Sequence, residues 1–223
     1  MGDGSAIVSA IVLCGPTRPA VEIRAQLPAG AVVIAADGAF AHAAPLGLTV
    51  DHLVGDFDSI APHDLAAARS VGVTLRQSPR DKDDTDLELA LQLACDLGAR
   101  DIIVVDGGLG DRPEHFVANV AVLASRRWLP ARVRGVIANA SVVAMHPDLA
   151  PLTVRGSIGD LVSIVTVGAP AIFERSAGLR WPLAAVELAA DVGLGLSNEL
   201  IATTATISLR SGAALLFRSE ESA

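Results

Sequence analysis

The sequence contains no tyrosine, and aromatic residues make up only 3% of it. A chain so poor in flat rings is not expected to build the stacking platforms that hold single-stranded nucleic acids. Cysteine is also scarce. Cys14 and Cys95 are the only two, they lack metal-ligand spacing, and nothing in them indicates an oxidising compartment. No uninterrupted apolar run reaches the ~18 residues expected of a membrane-spanning helix. The stretch 1–10 has no basic segment ahead of its short apolar run, so no signal peptide is expected. The expected setting is cytoplasmic, with no membrane partner. Basic residues are outnumbered, 17 Lys and Arg against 25 Asp and Glu, giving a formal charge of −8. That argues against a nucleic-acid partner and is compatible with a cationic substrate or a bound divalent metal. Two catalytic signatures are missing as well: the Gly-x-x-x-x-Gly-Lys-Ser/Thr phosphate loop and the Gly-x-Ser-x-Gly elbow.

What remains is 223 residues, 51% hydrophobic, with a mean hydropathy of +0.48. Much of that apolarity is alanine, and the composition is that of a globular chain with a real core. The chain is organised around 51–88, which holds two acidic clusters. In Gly55-Asp56-Phe57-Asp58-Ser59, carboxylates at i and i+2 point the same way if the backbone is extended. In Asp81-Lys82-Asp83-Asp84-Thr85-Asp86-Leu87-Glu88, more carboxylates follow within reach of the same pocket. Hard oxygen ligands gathered in this way suit Mg²⁺ held by a few carboxylates and substrate phosphates, so Mg²⁺-dependent phosphate chemistry is the expectation.

The periodicity up to about Trp128 alternates strands with helices. Apolar runs at 6–13, 31–36, 52–54, 73–75 and 101–105 read as strands. Short helices are expected at 22–27 and 40–45, and longer ones at 62–71, 85–97 and 113–128. Thr85 and Glu88 form a capping box ahead of the apolar face Leu87, Ala90, Leu91 and Ala94, and Pro113 suits a first helical turn. This predicts an α/β domain with a mostly parallel sheet over 1–130, its ligands bound at strand carboxyl ends. From 131 to 223 short β-leaning runs separated by turn signals predict an all-β, sandwich-like domain, with a helix only at 184–190. The boundary falls near 129–134.

Each candidate has a plainer reading. Asp56 and Asp58 also suit a turn, and acidic residues in a first helical turn offset the helix dipole, which covers Glu88. Lys82 is a solvated charge or a phosphate contact. The glycines 107, 108 and 110 follow a strand and precede a helix, so their N–H groups can meet phosphate with Arg112 beside them, or they merely permit a turn. His115 reads most simply as a packed or capping histidine. Trp181 is a core residue by prior, or a ring that stacks on a ligand.

Together these motifs resemble the thiamine pyrophosphokinase (thiamine diphosphokinase) family. The matching stretches are Asp37-Gly38, Gly55 to Ile60, Lys82 to Glu88, Asp111 to Asn119, Gly178 to Leu183 and Gly195 to Glu199, in the family's order over nearly the whole chain. Two positions depart from the family pattern: Glu114 stands where Asp is usual, and Asp111 where Gly is usual. The resemblance implies transfer of the diphosphoryl group of ATP to the hydroxyl of thiamine, by a homodimer whose active sites use both subunits. It implies Asp56, Asp58 and Asp86 as Mg²⁺ ligands, and Asp56, Asp58, Asp86, Arg112 and Glu114 as catalytic residues. Asp37, Lys82, Asp83, Thr85, Gly108 and Arg112 fall to the nucleotide, and Trp181, Ser197 and Asn198 to thiamine. A diphosphokinase of another alcohol, such as a hydroxymethyl pterin, and a non-catalytic nucleotide- or thiamine-binding regulator are the alternatives.

Overall fold

The computed structural model describes residues 9–108, 110, 112–138 and 140–219. The chain divides into two units, Met1–Asn119 with Val133–Ala138, and Val120–Arg132 with Asn139–Ala223.

The first unit is built on β1 (Ser9–Cys14), β2 (Val32–Ala36), β3 (His52–Gly55), β4 (Thr74–Gln77), β5 (Asp101–Asp106) and β6 (Arg132–Ile137). Their spatial order is β6-β5-β1-β2-β3-β4, and the pairs β5–β1, β1–β2, β2–β3 and β3–β4 are all parallel. The runs Ile-Val-Leu in β1 and Ile-Ile-Val-Val in β5 are apolar without alternation because both faces of these strands are covered. Three α-helices join them: α1 (Pro62–Ser70), α2 (Asp86–Asp96) and α3 (Pro113–Leu123). In α2 the capping box forms, with Thr85 Oγ1 accepting the Glu88 N–H at 3.2 Å and Glu88 Oε2 accepting the Thr85 N–H at 2.9 Å. Its buried stripe, Leu87, Ala90, Leu91 and Ala94, packs on β1, β2 and β3. The helices expected at 22–27 and 40–45 are 3-10 turns instead, at Val21–Gln26, Asp37–His42 and Ala44–Leu46. They are too short to sustain α-helical hydrogen bonding, and Pro45 withholds a donor from the last of them.

The second unit holds β7 (Ala140–Met145), β8 (Leu152–Arg155), β9 (Leu161–Thr166), β10 (Ala171–Ala177), β11 (Glu187–Leu188), β12 (Asn198–Glu199), β13 (Thr204–Ser211) and β14 (Ala214–Ser219). They pair antiparallel in the orders β12-β9-β14-β7 and β11-β10-β13-β8. Alternate residues of β9 and β13 point inward, and both sheets supply one core that includes Phe173, Ile164, Ile207 and Leu216. The helix expected at 184–190 is not formed. Ala185 sits at φ 61°, a left-handed backbone that breaks a helix, and the segment carries β11. Among the described residues, no helix is long and apolar enough to cross a membrane.

Candidate active site

In the first unit the strand order turns at β1, with β2 to β4 on one side and β5 on the other. Ligands of such sheets lie outside the carboxyl ends of the strands at that point. A cavity of about 570 Å³ opens there, lined by the ends of β1, β2 and β5, the loop after β3, the start of α2 and residues of α3.

Asp37 follows β2 with a left-handed backbone, φ 45°, and is buried to 3% exposure. Its carboxylate accepts three hydrogen bonds from the loop after β3: Ser59 Oγ at 2.8 Å, Ser59 N at 3.3 Å and Ile60 N at 3.0 Å. Asp56 and Asp58 are therefore presented by a loop knotted to β2. The extended backbone expected there is not what brings them together. Phe57 lies at φ 65°, and the Asp58 N–H donates to Asp56 Oδ1 at 3.2 Å, so a tight turn does so. The result is a cluster in which Asp37, Asp56 and Asp58 each bring an oxygen within 4.8 Å of the others. Gly55 makes this packing possible. At φ 145°, a Cβ on it would stand 3.1 Å from Asp37 Cβ and 3.3 Å from Asp86 Oδ1.

Lys82 joins the clusters, its Nζ 3.2 Å from Asp56 Oδ2 and 2.9 Å from Asp86 Oδ1. Asp86 opens α2; its Oδ1 is buried and receives no well-angled hydrogen bond, although the ammonium stands beside it. The electrostatics divide the carboxylates. Burial pushes the Asp86 carboxyl up, against the pull of Lys82. Burial acts upward on Asp56 too, but the Asp58 amide and the Lys82 ammonium outweigh it and hold that carboxyl below its usual value. Burial lowers Lys82, and the two carboxylates more than restore it, raising it overall. Arg80, which sequence reasoning did not single out, donates to Asp58 Oδ2 at 2.6 Å.

Asp37, Asp58, Ser59, Lys82, Thr85, Asp86, Gly108, Arg112 and His115 line the cavity; Asp56 meets it through Lys82. Thr85 Oγ1 is already engaged by Glu88. Glu114 and Asp83 are exposed and outside the lining. Arg112 Nε donates to Glu114 Oε1 at 3.0 Å. The Glu114 carboxyl is held low, first by its own backbone amide and then by that guanidinium. His115 is exposed on the cavity wall, which corrects the packed reading. Asp111 lies outside the described residues. Cys14, Asp106 and Asn119, to which sequence reasoning assigned no role, all line the cavity. The Gly108 N–H is committed to Asp106 Oδ1 at 2.9 Å. Burial pushes the Asp106 carboxyl up, and burial together with the Asp106 charge pushes the Cys14 thiol well up.

In the second unit Trp181 is 54% exposed, which excludes the core reading. Asn198 is buried and clasps its backbone from both sides, accepting the Trp181 N–H at 3.2 Å and donating to the Trp181 carbonyl at 2.8 Å. The Arg180 guanidinium lies 5.1 Å from the centre of the indole. Ser197, at φ 54°, donates its N–H to Ser163 Oγ at 3.1 Å.

Residues 25–132 match the family described as thiamin pyrophosphokinase, catalytic domain. That span contains Asp37, both acidic clusters, Asp106, Arg112 and Asn119. Over that stretch the chain is similar to the thiamin pyrophosphokinase catalytic domain. The thiamine pyrophosphokinase of Bacillus subtilis (strain 168) is 27% identical over 167 residues, 75% of this chain and 77% of that relative. The crystal structure of thiamine pyrophosphokinase from Bacillus subtilis superposes with a TM-score of 0.79 at 21% identity, covering 96% of this chain and 100% of that one. Thiamin pyrophosphokinase from Geobacillus thermodenitrificans gives 0.75 at 25% identity, covering 97% and 99%. The fold is therefore that of the thiamine pyrophosphokinases.

Proposed function

We propose that this protein is a thiamine diphosphokinase, carrying the diphosphoryl group of ATP to the hydroxyl of thiamine to give thiamine diphosphate and AMP. The observation that carries this reading is the acidic cluster bridged by Lys82 at the edge of the cavity. It supplies both charges that a diphosphoryl transfer needs, carboxylates for a cation and an ammonium for a phosphate. The reading assigns residues 1–130 to an α/β catalytic domain and residues 131–223 to a β-sandwich that binds thiamine and forms the dimer. The proposed setting is the cytoplasm.

The residues present fit Mg²⁺. Asp37, Asp56 and Asp58 are hard oxygen donors already within 4.8 Å of one another, and Asp86 Oδ1 is buried without a good hydrogen bond. Bound there, the ion would neutralise charge on the polyphosphate. Lys82 and Arg112 would contact phosphate oxygens. Glu114, the partner of Arg112, would orient the hydroxyl or the nucleotide. In the transfer, the thiamine hydroxyl oxygen bonds the β-phosphorus, the link from that phosphorus to the α-bridging oxygen breaks, AMP leaves, and the hydroxyl proton passes to solvent. Placement and charge neutralisation carry most of such a reaction.

Trp181 would stack on the cationic ring system of thiamine, with Ser197 and Asn198 fixing its loop. A homodimer is supported by apolar side chains left exposed in the second unit, among them Val192 at 51%, Leu194 at 70% and Leu196 at 53%. The test follows AMP and thiamine diphosphate together in a mixture of protein, ATP, Mg²⁺ and thiamine. Equal yields of both, abolished by chelator, are expected. ATP turnover without thiamine diphosphate, or thiamine binding with no AMP released, would overturn the assignment.

A further inference from the structure

We propose that Asp106 is a positioning residue for nucleotide binding: its buried carboxylate holds the turn after β5 and the Asn119 side chain of α3 in the arrangement that faces the cavity. This rests on the diphosphokinase reading above.

Asp106 ends β5 at the point where the strand order turns, and it is 4% exposed. Its Oδ1 accepts the Gly108 N–H at 2.9 Å, and the Asn119 side chain donates to the same carboxylate. The Cys14 thiol points at Oδ2 from 3.8 Å. Gly15 packs so closely that a Cβ there would lie 2.5 Å from Oδ1. Cys14, Gly15, Gly108 and Asn119 all line the cavity themselves. The carboxylate thus ties together three separate parts of one binding wall: the end of β1, the turn after β5 and α3. Burying a carboxylate here costs desolvation that an apolar side chain would avoid. Its hold on Gly108 also means that this amide does not meet phosphate. The nucleotide instead meets what the turn and helix display, Arg112 included.

The test pairs Asp106→Leu, which removes the acceptor but keeps the branched shape in a larger side chain, with Asp106→Asn, which keeps an acceptor for Gly108 and lets the Asn119 amide turn to match. Steady-state kinetics, calorimetric titration with a non-hydrolysable ATP analogue plus Mg²⁺, and thermal midpoints are read together. For Asp106→Leu we expect KM for ATP to rise about tenfold, the size expected when a buried donor is left unpaired. We expect kcat and the thiamine KM to stay near wild type, and Asp106→Asn to restore most of the loss. A folded Asp106→Leu protein with wild-type KM for ATP overturns the proposal. So does equal damage to kcat and both KM values, or Asp106→Asn behaving like Asp106→Leu. Should Asp106→Leu not fold, Asn119→Ala carries the test, and an unchanged ATP KM overturns the proposal. Wild-type protein that binds no analogue overturns the diphosphokinase reading and this one with it. Wild-type binding matched by Asp106→Leu overturns only this one.

Discussion

Replacing Lys82 by methionine should tighten metal binding and weaken nucleotide binding in the same protein. The ammonium stands 3.2 Å from Asp56 and 2.9 Å from Asp86, and the Lys82 side chain is only 17% exposed. Unit charges about 3 Å apart attract by roughly 5 kcal/mol at an effective dielectric of ~20, before desolvation is subtracted. Desolvation and the partial exposure reduce this to about 1–3 kcal/mol, the usual net value of a hydrogen bond between charged groups. A divalent cation approaching these carboxylates must displace that ammonium or bear its repulsion. Removing it should therefore raise metal affinity by about tenfold or more, since ~1.4 kcal/mol is one decade. The assay is titration with Mn²⁺ followed by electron paramagnetic resonance, first without nucleotide and then with a non-hydrolysable ATP analogue. In wild type the analogue should tighten Mn²⁺ binding by drawing Lys82 onto phosphate, and linkage requires Mn²⁺ to tighten the analogue by the same factor. In Lys82→Met the Mn²⁺ affinity without analogue should rise and that coupling should shrink. An unchanged or weaker Mn²⁺ affinity in the variant would refute the reasoning.

Three further outcomes are expected. Gly55→Ala forces a methyl into the space between Asp37 and Asp86 at φ 145°; it should cost about 1–3 kcal/mol in urea unfolding and lower transfer activity. Burial pushes the Cys14 thiol well above its ordinary value of 9.0, so its stabilisation is complete below that pH and is lost as pH rises toward the folded value. Unfolding free energy should therefore fall above pH 9 by up to about 1.4 kcal/mol per pH unit. Cys14→Ala should flatten that limb, which no tyrosine complicates; an equally steep limb in Cys14→Ala would count against the burial effect. Trp181→Ala should raise the thiamine KM about tenfold, as the loss of a ring–cation contact of ~1–2 kcal/mol implies, and leave the ATP KM alone.

The sequence showed most where the physics is local. The Thr85–Glu88 capping box and the stripe on α2 involve neighbours in the chain, and both appear as expected. The apolar runs of β1 and β5 were equally plain, because a strand covered on both faces needs no alternation. Long-range ties were not legible. Nothing in Asp37 or Ser59 announces that the first accepts hydrogen bonds from the loop holding the second, and Arg80 carries no sign of its bond to Asp58. Backbone handedness was also hidden, since Phe57 and Ala185 are residue types that seldom adopt left-handed conformations. Priors that reward burial did not hold at Trp181 and His115, since both are exposed. Asp106 had no role assigned, and its place depends on the parallel pairing that sets Cys14 beside it.

The two tryptophans have a practical consequence. Trp128 is 2% exposed, with its indole N–H donated to the Val122 carbonyl at 2.7 Å, whereas Trp181 is 54% exposed beneath a guanidinium. With tyrosine absent, these rings supply the emission excited at about 295 nm, one expected blue-shifted and shielded, the other red-shifted and open to quenchers. The chain therefore carries a built-in pair of optical reporters, an internal standard and, on the proposed thiamine contact, a ligand sensor, readable without any label.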